Sequence, residues 1–321
     1  MSGIAAYFSS LNILNLPGRL PGGVAQGIIW GLMALGVYIT FRILDIADLT
    51  VDGSFTTGGA VTVVLILAGW PAWAALLVAM VAGTLAGLCT GLLHTKLGIP
   101  AILAGILTQF ALYSINLHIM SGASNKVVRA DKYSLVLSGG NVLLAILIGM
   151  LIAAVLIIIM YGYFGTEQGS ALRATGNNPA MSRAQGINID RMKVLGLAIS
   201  NALVSLAGGL MSQYQGYADI NMGRGAIVIG LAAVIIGEVL GEALLKKHLN
   251  FMGRLSFVVL GGVIYYIVVV IVLWLKLPMN DLKLFTAAVV AVFLAVPYLR
   301  GQAKSSFKMA GKRGAKTNAG D

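Results

Sequence analysis

Apolar residues run along this chain in long blocks, broken by short connections marked with charge, glycine or proline. A helix that crosses the hydrocarbon core of a bilayer needs about 20 residues at a rise of roughly 1.5 Å each. Nine blocks meet that need in length or nearly so: 22–44, 54–70, 73–94, 100–120, 141–163, 193–214, 225–243, 249–274 and 283–299. The second and seventh are short for a full crossing. Before them, residues 1–21 form a lead-in where Ile4, Tyr7, Phe8, Leu11 and Leu14 recur at helical spacing. That spacing suits a segment lying along the membrane surface or a loosely ordered approach to it. After them, 300–321 is a basic tail. The pattern predicts an all-α integral membrane protein, a polytopic bundle of about nine helices (eight to ten) with its membrane domain over 22–299.

Composition agrees. Hydrophobic residues make up 58% of the 321 positions and charged ones only 10%, against roughly 25% charged in soluble domains. So little charge cannot clothe a water-facing surface. The 41 glycines suit membrane helices, where small residues let backbones approach. The net charge of +11 does not point to nucleic acid. Its densest run, Arg300, Lys304, Lys308, Lys312, Arg313 and Lys316, flanks the last apolar block, where basic residues report orientation and attraction to anionic lipid. A single cysteine, Cys89, allows no disulfide within one chain and offers no thiolate metal site.

Sidedness follows from the connections. With the 165–192 loop in the cytoplasm, nine alternating spans place the C-terminus inside and the N-terminus outside. The inner side then carries fifteen Lys and Arg and the outer side seven (Arg19, Lys126, Arg129, Lys132, Arg224, Lys276, Lys283), as the positive-inside rule favours.

A shift of 171 residues lays Asp45–Gly53 on Gly216–Arg224, so that Ala47-Asp48-Leu49 falls on Ala218-Asp219-Ile220 and one short span on the other. Five spans separate the copies, which implies opposite directions through the bilayer. The expected halves are about 22–163 and 193–299. Inverted repeats with short or glycine-broken segments at matching positions mark transport pathways. In a chain with only eleven Asp and Glu the shared acid is the informative part of the match.

The 165–192 loop carries its own signal. Asn178 is suited to cap a helix and Pro179 to open it, because the first helical N–H has no partner to lose. Gly186 suits a left-handed ending. A helix of about two turns, 179–185, is therefore expected outside the membrane, either as a docking knob for a cytoplasmic partner with Arg173 and Arg183 as contacts, or as a capped surface helix and no more.

The run Ala171-Leu-Arg-Ala-Thr-Gly-Asn-Asn-Pro-Ala-Met-Ser-Arg-Ala-Gln-Gly-Ile187 resembles the coupling loop of ABC importer permeases of the branched-chain amino-acid and ribose type. The run Ala34–Phe55, with Arg42-Ile-Leu-Asp-Ile-Ala-Asp-Leu-Thr-Val-Asp-Gly53 at its centre, resembles a subgroup of that family tied to amino-acid uptake, including predicted tryptophan and tyrosine importers. The resemblance covers nearly the whole chain. It implies a permease that pairs with a second permease subunit, as a homodimer, docks two cytoplasmic ATPase subunits, and takes substrate from an extracytoplasmic binding protein in a bacterial inner membrane. It also implies that Arg173, Gly176, Asn177, Asn178, Pro179 and Arg183 occupy the coupling region, and that ATP and magnesium belong to the partner ATPase, with no cofactor on this chain.

Acids near a bilayer are costly and normally face a cavity, a counter-charge or water. Asp48, Thr50, Asp52, Ser54 and Thr56 alternate with apolar neighbours at a span junction. They are expected, with Asp219 and Asn221 in the 216–224 copy, to line the two ends of a pathway; the other reading seats the acids among cytoplasmic headgroups near Arg42. Gln109, Tyr113 and Asn116 share one face of the fourth span, and Asn201 and Ser205 one face of the sixth. Such groups turn inward, either to bond another helix or to touch a passing solute. The sequence holds no G-x-x-x-x-G-K-[ST] phosphate loop and neither an H-E-x-x-H nor a G-x-S-x-G motif, so the chain is not expected to be an enzyme by itself. An ion-gradient-driven secondary transporter is the alternative, since it too uses inverted repeats and membrane acids.

Overall fold

The computed structural model describes residues 16–129, 132–245 and 250–274, with a few further positions between 284 and 295. The chain divides into two compact units, Met1–Ile271 and Val272–Asp321, and the cavities and seams described below belong to the first. The lead-in up to residue 15, the basic tail and most of the expected ninth span, 283–299, fall outside the described residues.

Eight helices among the described residues are long and apolar enough to cross a membrane. They are α1 (Leu16–Tyr38, extended through a wide π turn, Ile39–Ile43), α2 (Thr50–Leu67), α3 (Ala72–Thr95), α4 (Ala101–Ile119), α5 (Val142–Gly165), α8 (Ile189–Gln215), α9 (Ala226–Leu245) and α10 (Phe251–Trp274). Two shorter helices, α6 (Glu167–Asn177) and α7 (Pro179–Ala184), fill the long basic loop. Strands β1 (Asn125–Val127) and β2 (Tyr217–Asp219) pair antiparallel, Asn125 opposite Asp219 and Val127 opposite Tyr217.

The helix ends follow from local chemistry. Asn141 and Asn188 cap α5 and α8, each side chain accepting the N–H three residues on. Gly216, at φ +79, ends α8 in the left-handed conformation a Cβ disfavours. The second span begins at Thr50, four residues before the apolar block does. There the Asp48 carboxylate accepts the Thr50 N–H at 2.9 Å and starts a helix that hydrophobicity alone places later. Its polar first turn hid the start.

Burial sorts the spans into a centre and a periphery. In the most apolar stretch of both α1 and α8, 83% of positions are buried, and 72% in α2, against 22% in α5 and 28% in α4. The outer helices present Leu, Ile, Val and Phe outward, as a lipid-facing surface requires. Glycines seat the central helices. Gly83, Gly87 and Gly91 of α3 lie so close to the α8 backbone at Asn201, Leu197 and Val194 that a Cβ would overlap it. Gly27 and Gly31 of α1 do the same against Val263 and Val259 of α10, and Gly23 meets the Val270 side chain. With no hydrophobic drive between helices in lipid, such close backbone packing holds the bundle together.

At the 171-residue shift, Gly18–Ile43 of α1 falls on 189–214, and α8 occupies Ile189–Gln215. The two helices that the shift exchanges also touch, the Ser200 hydroxyl donating to the Gly36 carbonyl at 2.8 Å.

Candidate translocation pathway and coupling site

The linker from α1 to α2 turns back sharply. Ile46 N–H donates to the Thr40 carbonyl at 2.9 Å, and Asp45 takes φ +56, a conformation Asp tolerates better than most residues. The chain then carries Asp48 into the bundle, where it is 2% exposed. One oxygen of its carboxylate caps Thr50, and the other accepts from the Asn201 side-chain amide of α8 at 2.7 Å. Asp48 is closed off inside the protein; of Asp45, Asp48 and Asp52, Asp45 alone stays exposed. Beside it, the Thr50, Thr90 and Thr108 hydroxyls form a chain of 2.7 and 2.9 Å bonds joining α2, α3 and α4.

One turn into α2, Asp52 does different work. Its two oxygens accept the N–H groups of Gly225 and Ile227, each at 2.9 Å, and so cap the start of α9. Gly223 N–H donates to the Thr56 hydroxyl at 3.1 Å. The junction segments around 48–56 and 216–225, expected at two separate ends of a pathway, are therefore in contact. The cause is that α9, lacking a capping residue of its own, takes its acceptor from α2.

Against this seam opens a cavity of about 430 Å³. Asp52, Thr56, Gln109, Tyr113, Asn116 and Arg224 line it. Asn116 is fully buried, and neither its amide nitrogen nor its oxygen has a hydrogen-bond partner among the described residues. A buried amide left unpaired costs about 1–3 kcal/mol, which a polar solute or water in the cavity would relieve. The stripe Gln109, Tyr113 and Asn116 thus meets Asp52 in one place.

The other expected pathway residues divide between two settings. Asp219 and Asn221 line a separate cavity of about 370 Å³ beside the strand pair. Segment 219–224 stands between the two spaces, with Ile220 and Arg224 turned to one and Asp219 and Asn221 to the other. Asp48, Thr50, Ser54, Asn201 and Ser205 are buried between helices and line neither cavity; Ser205, for example, donates to the Ala79 carbonyl at 2.7 Å. Thr56 was expected with its alternating neighbours, whereas Arg224, placed in a connection, read from sequence as an orientation signal.

In the basic loop, the Asn178 side chain accepts the Met181 N–H at 3.0 Å, Pro179 opens α7, and Gly186 takes φ +82. The helix ends at Ala184, one residue short of the expected 185. Met181 and Arg183 stand exposed on α7. The preceding helix α6 was not foreseen, although Thr166, whose hydroxyl accepts the Gly169 N–H, and Glu167 in the first turn are its starting signals. A Cβ at Gly176 would overlap the Ile43 carbonyl, and Leu172 and Leu44 meet over Gly196 of α8. Contacts therefore run from α7 through α6 to the linker that holds Asp48. Arg173 is turned to its own chain, with its guanidinium 5.9 Å from the Phe251 ring centre. Gly176 and Asn177 line, with Arg42 and Arg254, a cavity of about 600 Å³ next to it, where Arg42 pairs with Glu238 at 2.8 Å.

The chain is similar to known proteins. Residues 20–297 match the family described as branched-chain amino acid transport system / permease component. The chain is 39% identical to the tyrosine transport system permease protein of Clostridioides difficile, over 85% of this chain and 89% of that one. It is 34% identical to protein RP368 of Rickettsia prowazekii (84% and 94% covered) and 26% identical to the ribose import permease protein RbsC of Haemophilus influenzae (78% and 74%). This chain, a multi-pass membrane protein, belongs to the branched-chain amino acid transport system permease family.

Proposed function

We propose that two copies of this chain form the pathway of an importer for an amino acid, aromatic or branched-chain, in the cytoplasmic membrane of a bacterium. ATP is hydrolysed, with magnesium, on two separate ATPase subunits that dock on α7, while a binding protein outside delivers the solute. The loop 165–192 and the C-terminus lie in the cytoplasm. The halves 22–163 and 193–299 act as inverted repeats. Membership of the permease family and the likeness to a tyrosine transport permease support the solute class.

The observation that carries the reading is the exposed face of α7. It is fixed at both ends by Asn178 and Gly186 and leaves Met181 and Arg183 bare. Through Gly176 it rests on the linker to α2, so a push on α7 reaches the Asp48 seam and the Asp52 cavity. A gradient-driven carrier has no need of such an element.

The test is uptake by proteoliposomes holding the chain, its ATPase and its binding protein. ATP-dependent uptake is expected. Arg183→Glu together with Met181→Glu should lower it about tenfold or more, the loss of one buried contact cluster at an interface, while the unfolding midpoint of the purified chain stays unchanged. Uptake by the chain alone under a sodium or proton gradient would overturn the reading.

A further inference from the structure

The cavity beside the strand pair has a composition the pathway reading does not use. At about 370 Å³ it falls within the roughly 300–1,000 Å³ of small-molecule sites. Trp30 of α1 lines it, held by stacking on Phe55 of α2 (ring centres 4.8 Å apart, 17° between planes) and on Tyr266 of α10 (5.8 Å, 20°). Trp30 is 5% exposed, and its indole N–H has no hydrogen-bond partner among the described residues. A buried Trp N–H normally finds an acceptor, and this one has none among the described residues. Tyr217 stands half-exposed on the same cavity, and Met211 and Met222 complete its apolar lining.

The polar part of the wall holds a carboxylate. One oxygen of Asp219 accepts the Asn221 N–H at 2.7 Å, and no cation pairs with Asp219 among the described residues. Asn125, opposite Asp219 in the strand pair, lines the cavity as well. An acid, an orphan N–H and an amide donor thus surround a space walled by aromatic rings and thioethers. That set matches a zwitterion: an ammonium for Asp219, a carboxylate for the indole N–H and the Asn125 amide. Aromatic and thioether walls favour an aromatic side chain over an aliphatic one through ring–ring and sulfur–ring contacts.

We propose that this cavity is a binding site for an amino acid with an aromatic side chain, distinct from the Asp52 cavity across segment 219–224. The proposal rests on the amino-acid importer reading and narrows its solute.

The full-length chain in lipid nanodiscs tests it by saturation-transfer NMR with L-phenylalanine and, as the contrast, L-leucine. Phenylalanine ring protons should receive saturation and leucine methyls should not. Asp219→Asn and Trp30→Phe should each weaken phenylalanine binding about tenfold, the loss of one charge-assisted or buried hydrogen bond. Asp219→Asn should leave the unfolding midpoint in place, so that weaker binding is not lost folding. Equal signals from the two amino acids, or unchanged binding by both variants, would overturn the site. ATP-driven uptake without any phenylalanine signal would refute the site and leave the importer standing. Phenylalanine binding without ATP-driven uptake would refute the importer and leave the site.

Discussion

Asp48 and Asp219 stand 171 residues apart in like sequence and make the same local turn. Each accepts the N–H two residues on, Thr50 at 2.9 Å and Asn221 at 2.7 Å. Their surroundings then separate them. Asp48 is closed in at 2% exposure, with the Asn201 amide on its second oxygen. Asp219 is half-buried on an open cavity with no cation beside it among the described residues. One sequence device therefore yields a structural clamp at the first junction and an available charge at the second. A carboxylate's role is set by what occupies its second oxygen.

Four substitutions at three positions sharpen this contrast, read as unfolding midpoints of the purified chain in detergent. Asp48→Ala should cost most, about 3 kcal/mol, because it strands two buried donors, the Thr50 N–H and the Asn201 amide. A midpoint within error of the parent would mean that water or another acceptor reaches them. Asp52→Ala should cost about 1 kcal/mol, the usual worth of a helix cap. Asp52→Asn should recover part of this, since one amide oxygen can still accept; equal losses in both variants would assign the effect to charge and not to capping. Asp219→Asn should cost least, within about 0.5 kcal/mol, because its oxygen can keep the turn to Asn221. A loss matching that of Asp48→Ala would erase the contrast between the junctions.

Much of the bundle was legible beforehand. Long apolar runs bounded by Pro100, Asn141 and Gly216 specify helices because backbone groups in lipid must be satisfied within the helix, and the caps mark where water returns. The short helix at Pro179 was legible for the same reason: Asn, Pro and Gly act over three or four residues. The start of α2 was not legible, because Thr50 to Ser54 read as a polar junction until the Asp48 carboxylate is seen to accept the Thr50 N–H. The stripe Gln109, Tyr113 and Asn116 was legible as a face, whereas its meeting with Asp52 was not.

From sequence alone came the membrane class, the order of the helices, the ends of the short helix at Pro179 and the recurrence of Asp48 as Asp219, all consequences of local periodicity and hydrogen-bonding chemistry. Tertiary structure decided which polar groups are shared between helices and which are left facing a cavity. Asp48 found Asn201 across 153 positions, Asp52 found the start of α9, and Asn116 found nothing. No local rule sets such pairings, because they depend on which helices the glycine seams bring together.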